Sequence, residues 1–263
     1  MLKFSANLGF LWSDLPLVER IHAAGAAGFD AVEDHFPYDT PAAETRAALA
    51  ETGLRMVSIN TRPGDMAAGD FGLASLPSRV TEAQEAIAEA IEYAETIGAN
   101  SVHVMAGRSA GDPAEADTFL NNLAHALRLA GAAGVDILIE PLNPRDAPGY
   151  LLRSLEAAAG ICQTLDNHPG LKVMFDCYHL QITGGDLLTR YRNHAGRIGH
   201  IQFASVPDRT EPGTGEVNYH WLLPALQAAG YEGFFGSEYR PKTTVEQGLG
   251  WLQSLRSATL AGP

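Results

Sequence analysis

Four short runs of this chain end on, or next to, a side chain that offers an oxygen ligand. ILIE closes on Glu140, VMFD on Asp176 and FFGSE on Glu238, and GHIQF carries Gln202 one residue from its end. The runs are rich in β-branched, aromatic and other apolar residues and read as buried strands. Alternation sets their directions. With Ile137 and Ile139 on one side, Leu138 and Glu140 share the other. Phe175 opposes Asp176, and Ile201 and Phe203 oppose His200 and Gln202. Three carboxylates at one rim repel one another and cost free energy to bury. A divalent cation offsets both costs. One rim carboxylate alone would more simply be half of a salt bridge, but four oxygen donors on consecutive strands point to one shared ion. An all-oxygen set without cysteine suits Mg²⁺ or Mn²⁺, with Zn²⁺ or Co²⁺ as alternatives.

Two histidines read as partners of the substrate or of the ligands: His103 inside a strand, and His179 three residues past Asp176 in D-C-Y-H. His200 reads as a hydrogen-bonded core residue. With 18 Lys and Arg against 31 Asp and Glu, the formal net charge is −13. That balance disfavours nucleic acid and anionic membrane as partners. An anionic small-molecule substrate must therefore meet a local cation. Arg62, Arg108, Arg145, Arg209 and Arg240 all follow expected strands. Arg209 is the first candidate for a bidentate grip on a substrate carboxylate, and Arg240, two residues past Glu238, is the second.

The elements that position these residues alternate in type. Strands are expected at Lys3–Leu8, Phe29–Glu33, Leu54–Asn60, Ser101–Ala106, Val135–Glu140, Lys172–Asp176, Ile198–Phe203 and Gly233–Glu238. Amphipathic helical segments such as Thr81–Ile97 and Thr118–Ala132 lie between them. Gly28, Gly53 and Gly134 stop helices just before the next strand. Eight strand–helix units in 263 residues, 46% apolar and 19% charged, predict an α/β fold. The expectation is a single (β/α)₈ TIM barrel over residues 1–263, for which about 250 residues is typical. No G-x-G-x-x-G follows the first strand, and Gly107–Asp112 lacks the G-K-[ST] ending of a phosphate loop, so no organic cofactor is expected. Two long connections, Thr61–Leu76 and Ala204–Val217, follow strand ends on the catalytic face and read as lids or binding loops. Cys162 and Cys177 form no spaced motif and read as buried, reduced thiols. The N-terminal MLKFSANLGFLW is not a signal peptide, and no apolar run approaches the roughly 20 residues of a membrane span, so a cytoplasmic protein is expected. Homo-oligomerisation is left open.

Nearly the whole chain resembles the hydroxypyruvate isomerase family within the xylose-isomerase-like barrels. The matching stretches are KFSANL at the start, FPYD at Phe36–Asp39 and GDMAAGDFGLASLP from Gly64. IEPLNPRDAPGY from Ile139, FDCYH from Phe175 and GHIQFASVPDRTEPGTGEVNY from Gly199 follow, then GSEYRP from Gly236 and GLGWL from Gly248. The resemblance implies that Glu140 and Glu238 are the proton-transferring pair. It also implies that Glu140, Asp176, Gln202 and Glu238 hold the metal, the same four positions that strand ends select. The implied reaction converts hydroxypyruvate into 2-hydroxy-3-oxopropanoate through an enediolate. The 2-oxo-tetronate isomerases of the same family are the alternative, and VEDHFPYDTP and EPLNPRDAPGY resemble that group more. Ketose 3-epimerases look similar but usually place His where this chain has Gln202. Apurinic endonucleases share the barrel but use several zinc ions, a His-rich ligand set and a basic surface. A non-catalytic binding barrel would not need the intact Glu140/Glu238 pair.

Overall fold

The structure, a computed structural model, describes residues 1–258. Eight parallel strands form a closed barrel in chain order. They are β1 (Phe4–Asn7), β2 (Ala31–Asp34), β3 (Arg55–Asn60), β4 (Ser101–His103), β5 (Asp136–Ile139), β6 (Leu171–Asp176), β7 (Ile198–Phe203) and β8 (Phe235–Ser237). The barrel closes where β8 pairs with β1 through Phe4↔Phe235, Ser5↔Gly236 and Ala6↔Ser237. Helices α1 (Leu17–Ala26), α2 (Ala42–Thr52), α3 (Val80–Ile97), α4 (Glu115–Ala133) and α5 (Leu155–Thr164) fill the first five connections. Then come α6 (Cys177–Thr183), α7 (Leu187–His194), α8 (Tyr219–Ala228), α9 (Val245–Gly248) and α10 (Gly250–Arg256). Among the described residues no helix is long and apolar enough to cross a membrane.

All eight expected strands are present, most of them shorter than expected. The largest shift of a single strand end is in β4, which stops at His103 rather than Ala106. Beyond His103 the chain leaves the barrel ladder to pair with the Thr61–Leu76 connection. Ala106 forms an antiparallel bridge with Gly72, and Ser75 donates its amide to the Ala106 carbonyl at 2.8 Å. A Cβ on Gly72 would lie 2.7 Å from the Met105 carbonyl oxygen, so this approach requires glycine. The connection is thus stitched to the barrel, which makes it a wall of the site rather than a swinging lid. Glu140 and Glu238 sit one residue beyond β5 and β8, and the Glu238 amide still donates to the Phe203 carbonyl of β7 at 3.2 Å. The three helix-stopping glycines are left-handed as expected, at φ +85° for Gly28, +70° for Gly53 and +68° for Gly134.

Two layers of side chains hold this frame. Outside the barrel seam, Phe4 and Phe203 pack at 5.9 Å between ring centroids, and Trp251 of α10 lies 5.5 Å from each. That contact explains the GLGWL run as the helix that covers the β1–β8 closure. Inside, the barrel is polar: Ser5, Asn7, Glu33, His200 and Gln202 are all buried. Buried polar groups persist only when bonded to one another, and these are. Cys162 and Cys177 are buried and unpaired, as expected.

Candidate active site

Three acidic side chains from β5, β6 and β8 converge at the C-terminal mouth of the barrel. Glu140, Asp176 and Glu238 are buried, and together with His179 each offers a ligand atom within 4.8 Å of the others. Parallel register brings Asp176 directly opposite Gln202, and Gln202 opposite Gly236. Four successive strands therefore carry the four residues expected from the sequence.

The hydrogen bonding of this cluster is incomplete in one particular way. Glu140 Oε1, Asp176 Oδ2 and Gln202 Oε1 are buried without a partner. The second oxygen of Asp176 accepts the Tyr178 amide at 2.7 Å, which caps α6 and fixes the carboxylate. The Gln202 amide nitrogen donates to Glu33 at 2.8 Å. Unpartnered buried oxygens are costly, and a hard divalent cation is what such a donor set suits. These residues fit a metal.

His179 belongs to the geometric cluster but differs in chemistry. Its Nδ1 accepts the Asn143 backbone amide at 3.1 Å, so Nδ1 carries no proton. A neutral imidazole then holds its proton on Nε2, the atom 3.5 Å from Asp176 Oδ2 and 3.9 Å from Glu140 Oε1. Burial, then the nearby Arg209, hold the ring well below the usual histidine range and keep it neutral. An Nε2–H is a donor to an oxygen and not a metal ligand. His103 has the opposite arrangement. Its Nδ1 lies 3.3 Å from Asn60 Oδ1, its buried Nε2 has no partner, and burial lowers it to about 4.

Glu238 is the most heavily bonded of the acids. His35 Nε2 approaches Oε1 at 2.8 Å and Asn7 Nδ2 at 3.3 Å, while Arg209 Nη2 donates to Oε2 at 2.7 Å. Burial opposes its ionisation, but Arg209 and His35 outweigh it and hold Glu238 below the usual carboxylate range. Glu140 goes the other way. Burial, then the charges of Glu238 and Asp176, push it well above that range. Asp176 is raised to about 7 for the same reasons.

Arg209 reaches the cluster from the Ala204–Val217 connection. It stands in the left-handed region at φ +53°, held by its amide on the Ser205 carbonyl and its carbonyl on the Arg240 amide, each at 2.8 Å. The guanidinium packs over Phe10 at 5.1 Å and Tyr178 at 5.0 Å. It also lies 3.6 Å from Asp146 and 3.8 Å from Asp176. The expected carboxylate-gripping arginine thus already neutralises acidic neighbours. Arg240 lies over Phe10 at 5.6 Å and is exposed at the rim, with no ion pair among the described residues. Of the other arginines, Arg62 pairs with Glu89 at the surface, Arg108 packs against Phe71 and Arg145 is exposed.

A cavity of about 280 Å³ opens above the acids. Glu140, Glu238, His103, His179, Arg209 and Arg240 all line it, so every residue expected to touch substrate faces one space. A volume near the lower end of ligand pockets, about 300–1,000 Å³, suits a small metabolite. Sequence reasoning passed over His35, Asn7 and Glu33. Glu33 and the flanking Asp34–His35 end a strand just as Glu140 and Asp176 do, and that signal was available in VEDH.

A family model described as xylose isomerase-like TIM barrel matches residues 21–255. The 2-oxo-tetronate isomerase of Cupriavidus necator is 46% identical over 259 residues, covering 96% of this chain and 98% of its own. The hydroxypyruvate isomerase of Escherichia coli is 37% identical over 259 residues, covering 97% and 100%. The crystal structure of an AP endonuclease, family 2, from Brucella melitensis matches with a TM-score of 0.93 at 38% identity, covering 97% and 99%.

Proposed function

We propose that this chain, which belongs to the xylose isomerase-like TIM barrel family, is a metal-dependent isomerase that moves a proton between adjacent carbons of a short hydroxy-oxo acid. The relatives named as small-acid isomerases, matched over nearly their whole length, make it an isomerase acting on a small acid. The observation that carries the metal-dependent reading is the set of buried, unpartnered oxygens on Glu140, Asp176 and Gln202.

Glu140, Asp176, Gln202 and Glu238 would hold the ion, Mg²⁺ or Mn²⁺. When bound, it would polarise the substrate carbonyl and acidify the neighbouring C–H. Glu238, kept ionised by Arg209 and His35, takes the proton from that carbon. The resulting enediolate has His179 Nε2–H as a donor to one oxygen and His103 Nε2 as an acceptor for the other. The hydroxyl proton passes to the former carbonyl oxygen by way of His103 Nε2, which accepts it and gives it back, while His179 keeps its single ring proton and remains a donor. The proton held by Glu238 is returned to the adjacent carbon, by Glu238 itself or relayed through Glu140, so that both carboxylates end the turnover as they began it. The aromatic walls, Phe10, Phe36 and Phe71, keep bulk water from the enediolate.

Hydroxypyruvate, going to 2-hydroxy-3-oxopropanoate, is the three-carbon substrate of this kind. A 2-oxo-tetronate is the four-carbon one, and the 46% identity to the Cupriavidus necator protein of that name favours it. The Brucella melitensis match carries the name of a DNA-repair enzyme. A net charge of −13, with Arg209 turned inward onto carboxylates, is poorly matched to a phosphate backbone. The direct test gives metal-stripped protein Mg²⁺, Mn²⁺, Co²⁺ or Zn²⁺ with each acid in turn. Metal-dependent turnover is expected, with higher kcat/KM on the four-carbon acid. No turnover of either acid with any ion defeats the proposal.

The two cavity arginines should separate kinetically. Arg209→Met removes a charge-assisted bond worth about 1.5–3 kcal/mol, so KM for the acid substrate should rise roughly 10–100-fold. Because Arg209 also holds Glu238, kcat should fall with it. Arg240→Met, which touches no catalytic acid, should raise KM alone. The comparison is made on the acid and on a neutral hydroxy ketone. Equal losses on both substrates would show that neither arginine reads the carboxylate.

A further inference from the structure

Gln202 can turn either its oxygen or its NH₂ toward a cation, and only the oxygen is a ligand. What decides the orientation is Glu33, a carboxylate that is 1% exposed in the middle of the barrel. Four side chains surround its oxygens. Ser5 Oγ donates at 2.8 Å and Asn7 Nδ2 at 3.1 Å, His200 Nε2 lies at 2.7 Å, and Gln202 Nε2 donates at 2.8 Å. An ionised carboxylate accepts and never donates, so it can face only the NH₂ of the amide. The Gln202 oxygen is thereby left as the buried atom without a partner. β8 makes room for this carboxylate: a Cβ on Gly236 would come within 2.5 Å of Glu33 Oε2 and 2.8 Å of His200 Nε2. Asn7 extends the arrangement, since its Nδ2 also reaches Glu238 Oε1 at 3.3 Å.

We infer that Glu33 is a positioning residue for the metal site: it turns the Gln202 amide so that its oxygen faces the ion, and it steadies the Glu238 carboxylate through Asn7. This rests on the reading of Glu140, Asp176, Gln202 and Glu238 as the ligand set. The role lies in where the acceptor sits, not in its charge.

Mn²⁺ titration of metal-stripped full-length protein by calorimetry separates those two contributions. In Glu33→Gln the new amide can place its carbonyl against Gln202 and Asn7 and its NH₂ against Ser5 Oγ and His200 Nε2, both able to accept. Binding should then stay within about fivefold of wild type, the worth of roughly one net hydrogen bond. Glu33→Asp keeps the charge but withdraws the acceptor by one methylene, and Mn²⁺ binding should weaken about 10–100-fold. The reverse order, or equal losses, overturns the inference. In a Gln202→Ala background the additional loss from Glu33→Asp should shrink to about threefold or less, because the two residues act as one unit. An undiminished loss there would indicate a general structural defect and would also overturn it. Gly236→Ala displaces the Glu33 carboxylate with its charge intact and carries the same test should Glu33→Asp fail to fold. A wild type that binds no Mn²⁺ defeats the ligand reading itself. One that binds, with the variants in the wrong order, defeats only the role of Glu33.

Discussion

Glu238→Gln should lower kcat by about 10²–10⁴-fold with the barrel still folded, the range expected for loss of a positioned base. The amide keeps the shape of the carboxylate and one oxygen able to ligate, but it cannot accept the proton. The surroundings make this an informative variant. His35 and Asn7 approach Oε1, and Arg209 approaches Oε2. Arg209 can only donate, and Asn7, whose Oδ1 is held by the Gly9 amide, turns its donating Nδ2 to Glu238, so the introduced NH₂ must face a donor on one side. The lost bond should cost about 1–3 kcal/mol of stability, which shows as a lower Tm well short of unfolding at assay temperature. Measuring kcat, Mn²⁺ affinity and Tm together separates the loss of chemistry from the loss of structure. Near-normal kcat in a folded variant would remove Glu238 as the base.

The second large effect is on the stability of the metal-free protein. Burial and acidic neighbours raise Asp176 from 3.8 to about 7, and Glu140 moves in the same direction. A carboxyl whose folded value is raised binds more protons in the native state than in the unfolded one. Stability therefore falls as pH climbs from 3.8 towards about 7, and above that the full penalty is present. Glu238 works in the opposite sense. Its depressed value contributes stability above its ordinary 4.5, lost as pH falls below it. The metal-free protein should thus be most stable in mild acid. A bound divalent ion reverses the trend, because it favours the ionised forms and must displace protons to bind at low pH. At a hundred times Kd it should add about 2.7 kcal/mol, and its effect on Tm should widen between about pH 5 and 8 as fewer protons must be released. Tm measured with and without Mn²⁺ across that range checks this. A metal effect that does not change with pH would show that Glu140 and Asp176 are already ionised in the metal-free state.

The parts of the site visible in the sequence are those that alternation and strand ends can encode. Glu140, Asp176, Gln202 and Glu238 each terminate or nearly terminate an apolar run, and period-two alternation is enough to turn them inward. His35, Asn7 and Glu33 act through contacts across the barrel. The His35–Glu238 contact spans 203 residues and Asn7–Glu238 spans 231, and no local pattern carries such a pairing. His179 was legible as a site residue, but its tautomer depends on the Asn143 amide, whose position comes from a loop without periodicity. The Thr61–Leu76 connection was legible as long and Gly-rich. Its docking against Met105–Gly107 was not, because it relies on backbone pairing that any sequence with the right glycine could make.

The closure between β1 and β8 has a consequence for how the protein is made. A ribosome releases the chain in order, so Glu140, Asp176 and Gln202 emerge before Glu238, the proposed base, and before the strand that completes the ring. Until Phe235–Ser237 is available, Phe4–Asn7 remains an open edge, and so does the newest strand. Open edges can pair with other chains. The Asn7–Glu238 bond, one of the last native contacts that synthesis permits, crosses the same seam. A nascent chain halted after β7 would therefore carry three of the four proposed ligands, not the proposed base, and two unpaired edges. Chemistry and protection from aggregation arrive in the same step.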